Sequence, residues 1–140
     1  MLTVLAARRH NLINLIEPAL SAGQIVIVDR FLDSTLVYQG LLRGLGLEVV
    51  ENLMRLSGTW LEPDLTVVLD LDPCEAIARI PNPDQDRFDC LAQNQHRLIR
   101  EGFITLATGT RHRIVATDQS RELTAASILA AVNAQLGRFS

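Results

Sequence analysis

Three short runs constrain the fold of this 140-residue chain more than any other feature: QIVIVD from Gln24 to Asp29, DLTVVLDL from Asp64 to Leu71, and HRIVAT from His112 to Thr117. The first two are rich in β-branched and aliphatic residues and lack a clean in-out alternation. That pattern belongs to strands covered on both faces, and such strands occur mainly in parallel sheets. Helical spacing fills the intervals. Apolar residues recur at Leu5, Leu12, Ile16 and Leu20, predicting a helix from Leu2 to Leu20 with Pro18 late in it and Gly23 ending it. Further helices are expected from Asp33 to about Leu45 and from Leu47 to Ser57, the latter ending at Gly58. In DPCE, Asp72 can cap, Pro73 suits a first helical turn and Glu75 completes a capping-box pattern. PNPDQD, from Pro81 to Asp86, reads as a loop, followed by a helix from about Asp89 to Thr108 and a last one from Ser120 to about Leu136. Strands alternating with helices predict an α/β fold, a parallel sheet flanked by helices.

The length and the 48% apolar content suit a single domain over residues 1–140 built around one core. A formal charge of -3 argues against a protein wrapped in nucleic acid, so no nucleic-acid partner is expected. No apolar run reaches bilayer length and no leader pattern opens the chain, so no membrane partner and a cytoplasmic location are expected. Cys74, Cys90, His10, His96 and His112 are spaced unlike metal ligands, and no protein-ligated metal site is predicted from them. All thirteen basic residues are arginine. Any mechanism that draws a lysine from these residues is excluded.

In open parallel sheets, ligands gather at the carboxyl ends of the strands. Asp29 and Arg30, the aspartates of DLD, and TDQS at Thr117 to Ser120 all fall there. Arg30 can grip a phosphate by two charge-assisted hydrogen bonds; an ion pair with Asp29 or Asp33 is the alternative. Ser34 and Tyr38 share one face of the following helix and Thr35 and Gln39 the adjacent one, placing four hydrogen-bonding groups where a base or sugar could be read. A helix cap with a satisfied core tyrosine is the alternative. Arg79 and Arg87 bracket the proline-rich loop and suit a lid at about residues 79–88 over transferring phosphates, or else two solvated arginines beside Asp84 and Asp86. Arg8 and Arg9 lie mid-helix, where arginine is usually solvated.

Taken in order, AARRHNLINLIEPALSAGQIVIVDRF, STLVYQG, LEPDLTVVLDLDP, DRFD and VATDQS resemble the thymidylate kinase family along nearly the whole chain. The resemblance implies a P-loop nucleoside monophosphate kinase fold. It also implies transfer of the γ-phosphoryl group of ATP to dTMP with Mg2+, a step of dTTP biosynthesis. On this reading Arg30 binds the acceptor phosphate and Asp29 lies near the Mg2+ and phosphates, with Arg87 as the third catalytic residue. Arg8 faces the thymine edge, while Ser34, Thr35, Tyr38 and Gln39 line the substrate. Arg79 and Arg87 belong to the lid, and Thr117 to Ser120 borders the adenine.

Two departures stand out. Val4 occupies the position where the family usually stacks a phenylalanine on the base, and Ile80 to Gln85 supply no arginine to the lid. The family's GxxxxGK[ST] phosphate loop and its strand are absent from these residues, so the ATP site is expected to be incomplete and the chain alone inactive. The strands at 24–29 and 64–71 would then lack their central neighbour, predicting instability, association as a homodimer, or a complementing N-terminal segment as partner. A non-catalytic nucleotide-binding or interaction protein derived from the same family is the alternative.

Overall fold

A computed structural model describes residues 1–79 and 93–138, in two compact units, Met1–Glu62 and Pro63–Ser140. In the first unit α1 (Leu2–Asn11), a π-helical segment (Leu12–Ile16) and α2 (Glu17–Ser21) follow one another without a break. They account for the helix expected from Leu2 to Leu20. Leu5, Leu12 and Ile16 form the inward stripe that the spacing implied, whereas Leu20 is exposed and Arg8, expected to be solvated, is buried on that stripe. Pro18 has no N–H to give the preceding turn, and the wider π turn immediately before it accommodates that loss. Gly23 adopts φ 72° and ends the helix, with Gly23 N donating to Leu20 O and Gln24 N to Ala19 O.

Residues 24–29 depart from expectation. The predicted strand does not form: Ile25 is 67% exposed and Ile27 90%, and no described strand pairs with this run. A strand persists only where its backbone N–H and C=O groups meet those of a neighbour. Lacking one, the run is irregular despite its β propensity.

Next come α3 (Leu32–Thr35), a π-helical segment (Leu36–Leu42) and α4 (Leu47–Leu56). Leu12, Leu32, Val37, Val50 and Met54 are almost wholly buried and make the centre of this unit. Gly40, in the π-helical segment, sits where a Cβ would come 3.0 Å from Leu47 Cδ2, a close approach that a side chain would relieve only by moving Leu47. Thr59 N donates to Met54 O at 2.8 Å and completes the end of α4.

The second unit carries an open parallel sheet of two strands among the described residues, β1 (Thr66–Asp70) and β2 (His112–Ala116), in register from Thr66 against His112 to Asp70 against Ala116. Helices α5 (Pro73–Ala78), α6 (Gln93–Leu106) and α7 (Arg121–Leu136) flank it. The second and third predicted strands thus form and pair in parallel, and the α/β class stands. Asp72 caps α5 by accepting from Cys74 N at 2.9 Å, and Ser120 caps α7 by accepting from Leu123 N at 3.3 Å. The expected loop at 81–86 and the start of the helix at Asp89 lie outside the described residues. No described helix is long and apolar enough to cross a membrane.

Candidate functional site

The turn that follows the irregular run positions the first group. Arg30 is the one described non-glycine residue with positive φ, at 63°. That conformation crowds the Cβ of an L-residue and costs roughly 1–2 kcal/mol. Arg30 Nη2 donates to the Tyr38 hydroxyl at 2.5 Å, and the guanidinium carbon lies 4.8 Å from the centre of the same ring. Tyr38 reaches it from the π-helical segment, half-buried on the face it shares with Ser34. Neither Asp29 nor Asp33 forms an ion pair with Arg30 among the described residues. Asp29 is exposed and Asp33 is buried in the first turn of α3.

Arg8 forms the second group. It is only 9% exposed, with Nη2 donating to Phe31 O at 3.0 Å and to Thr35 Oγ1 at 2.5 Å, and Nη1 donating to Met54 Sδ at 3.0 Å. Its guanidinium carbon is 4.9 Å from the centre of the Phe31 ring. Burial lowers the Arg8 pKa below the ordinary arginine value, because the charged form loses hydration that neutral acceptors only partly replace. No carboxylate pairs with it among the described residues. Thr35 and Gln39 are both buried, as their shared face implied, and Gln39 Oε1 accepts from Arg43 Nη1 at 3.2 Å.

The 1–62 unit thus brings Arg8 together with Thr35, and Arg30 with Tyr38. Sequence reasoning missed Phe31, whose carbonyl orients Arg8, and Met54, which at helical spacing reads as plain core. In the second unit Arg79 Nη1 donates to Thr117 O at 2.9 Å, tying the end of α5 to the turn after β2. There it also missed the pair between Arg100 and Asp70, with Nε to Oδ1 at 2.6 Å and Nη2 to Oδ2 at 2.9 Å. Arg100 and Asp70 are thirty residues apart, and no local pattern links them. Arg87 and the rest of the lid beyond Arg79 lie outside the described residues.

Among the described residues no three metal-ligating side chains gather. The exposed Asp29 carboxylate fits Mg2+, which commonly takes one or two protein carboxylates and fills its remaining positions with water and phosphate oxygens. The triphosphate of ATP does not fit these residues. They contain neither GxxxxGK[ST] nor any lysine to cradle it.

The thymidylate kinase family model matches residues 1–128. A thymidylate kinase of Symbiobacterium thermophilum is 40% identical over 118 residues, covering 84% of this chain and 55% of that protein. A thymidylate kinase of Caldanaerobacter subterraneus subsp. tengcongensis is 41% identical over 125 residues, covering 89% of this chain and 60% of that protein. The match therefore spans between half and two-thirds of the length of these relatives. With the family model covering most of its residues, the chain belongs to the thymidylate kinase family.

Proposed function

We propose that the 1–62 unit is the acceptor-nucleotide side of a dTMP kinase, the part that holds dTMP while ATP supplies the phosphoryl group in the presence of Mg2+. The observation that carries this reading is the conformation of Arg30. A non-glycine residue held at φ 63° beside an exposed aspartate is strained, and strain of that kind persists where function requires a particular side-chain direction. Its guanidinium rests on Tyr38 and pairs with no described carboxylate, so its charge remains available to a phosphate.

In this reading Arg30 grips the monophosphate, Tyr38 holds Arg30, and Arg8 turns its remaining N–H groups toward the base while Thr35 braces it. Ser34 and Gln39 line the same substrate. Asp29 would supply a carboxylate to help hold Mg2+, which when bound would offset the negative charge of the phosphates. Arg79 and Arg87 contribute positive charge from the lid. Thr117 to Ser120 border the adenine.

Phosphoryl transfer also needs backbone amides, a lysine and a hydroxyl around the donor phosphates. These residues do not supply them. The test is a chimera with the phosphate-loop segment of the Symbiobacterium relative joined ahead of residue 1, assayed with ATP, Mg2+ and dTMP. The chimera is expected to make dTDP, and the 140 residues alone to make none. A chimera that folds and binds ATP but neither binds nor phosphorylates dTMP would contradict the reading.

A further inference from the structure

A guanidinium carries five N–H donors. In Arg8, Phe31 O and Thr35 Oγ1 take both hydrogens of Nη2, and Met54 Sδ takes one of Nη1. One Nη1 hydrogen and the Nε hydrogen remain for a ligand. Met54 is the only partner of Nη1 among the described residues, and it comes from α4, 46 residues along the chain.

The chemistry of that partner matters. A thioether is a weak, neutral acceptor. A carboxylate at the same place would neutralise Arg8, and a leucine would fill the volume while accepting nothing. Met54 is 0% exposed, so water cannot replace the sulfur if it is removed. The sulfur therefore fixes Nη1 without quenching the guanidinium charge.

We propose that Met54 is a positioning residue for nucleotide recognition, holding Arg8 so that one of its remaining N–H groups meets a carbonyl of the nucleobase. The inference rests on the nucleotide role proposed for Arg8.

The test uses the full 140-residue chain, in whatever assembly state it takes, labelled with 13C at the methionine methyl groups and titrated with dTMP. The chain has two methionines, Met1 and Met54, and the Met54 signal is identified by its loss in Met54→Leu. Binding is expected to shift that signal. Met54→Leu, a volume-conserving swap that cores tolerate, is expected to weaken dTMP binding by about threefold to tenfold, the scale of one weak charge-assisted hydrogen bond.

Met54→Gln restores a neutral acceptor on a side chain of similar length and is expected to recover affinity to within about twofold of the parent. Thermal midpoints of all three proteins are read alongside. Removing a buried acceptor also costs stability, so a positioning role predicts an affinity loss in Met54→Leu greater than its fall in midpoint accounts for. Parent-like binding by Met54→Leu, a loss that merely tracks the midpoint, or no recovery in Met54→Gln would overturn the inference while leaving the acceptor-site reading intact. A parent chain that binds no dTMP would overturn both.

Discussion

Arg100 grips both carboxylate oxygens of Asp70, Nε to Oδ1 at 2.6 Å and Nη2 to Oδ2 at 2.9 Å, and so fastens α6 to the carboxyl end of β1. The hydrogen bonds from Arg100 hold the Asp70 carboxyl below its usual range, helped by the Arg100 charge and the Leu71 amide and opposed by burial. A carboxylate whose folded-state pKa is depressed adds stability above its unfolded value, about 3.9, and that contribution is lost as pH falls through the folded value. The difference in thermal midpoint between parent and Asp70→Asn is therefore expected to be full near neutral pH and to shrink below about pH 4. Comparing the two proteins at each pH cancels the other titrating groups. A difference that stays constant across this range would show that the pair contributes nothing through ionisation.

Arg30 gives a second test, one of backbone strain. At φ 63° a glycine removes the Cβ crowding but loosens the unfolded chain, so Arg30→Gly is expected to stay within about 1 kcal/mol of the parent in stability. Arg30→Val puts a β-branched side chain into the same conformation and should be less stable than Arg30→Gly by about 1–2 kcal/mol. Chemical denaturation of the pair checks the ordering. Equal stabilities would mean that the turn relaxes away from positive φ.

Buried Thr35 is the shortest contact of Arg8. Thr35→Val keeps the shape and deletes the acceptor, leaving Nη2 with Phe31 O alone. An expected loss of about 1–2 kcal/mol follows from an unpaired buried donor, measured by denaturation. Weaker dTMP binding should accompany it.

Eighteen large apolar side chains are exposed among the described residues, against ten in the core, and Ile25, Ile27 and Val28 stand together on an unpaired run. Unpaired β-prone segments of this kind template association. Expressed alone, the 140 residues are expected to associate, and Ile27→Lys should reduce that association while changing stability by no more than about 0.5 kcal/mol. Sedimentation of the two proteins decides it. A monodisperse parent with a cooperative thermal transition would contradict the expectation.

Much of the fold was legible because its signals are local. Asp72 and Ser120 announce their caps, Gly23 its left-handed turn, and the spacing of Leu5, Leu12 and Ile16 their buried stripe. The failure at 24–29 has a physical cause: β propensity is a preference for a paired, covered surface, and no described strand supplies the pairing. The expectation of a binding edge at Asp29 and Arg30 leaned on a strand end, and the run before them is no strand. The contacts of Arg8 with Met54 and of Asp70 with Arg100 span 46 and 30 residues and emerge only when helices pack. The π-helical segments were likewise invisible, since a turn widened by one residue leaves the apolar spacing nearly unchanged.

The central claim is that Arg30 holds the phosphate of a nucleoside monophosphate. Its most direct test is calorimetric titration of dTMP and of thymidine into the parent chain and into Arg30→Ala. The parent is expected to bind dTMP at least about tenfold more tightly than thymidine, the scale of one charge-assisted phosphate contact, and Arg30→Ala to bind the two alike. An Arg30→Ala chain that keeps the parent's preference for dTMP would place the phosphate elsewhere and contradict the claim.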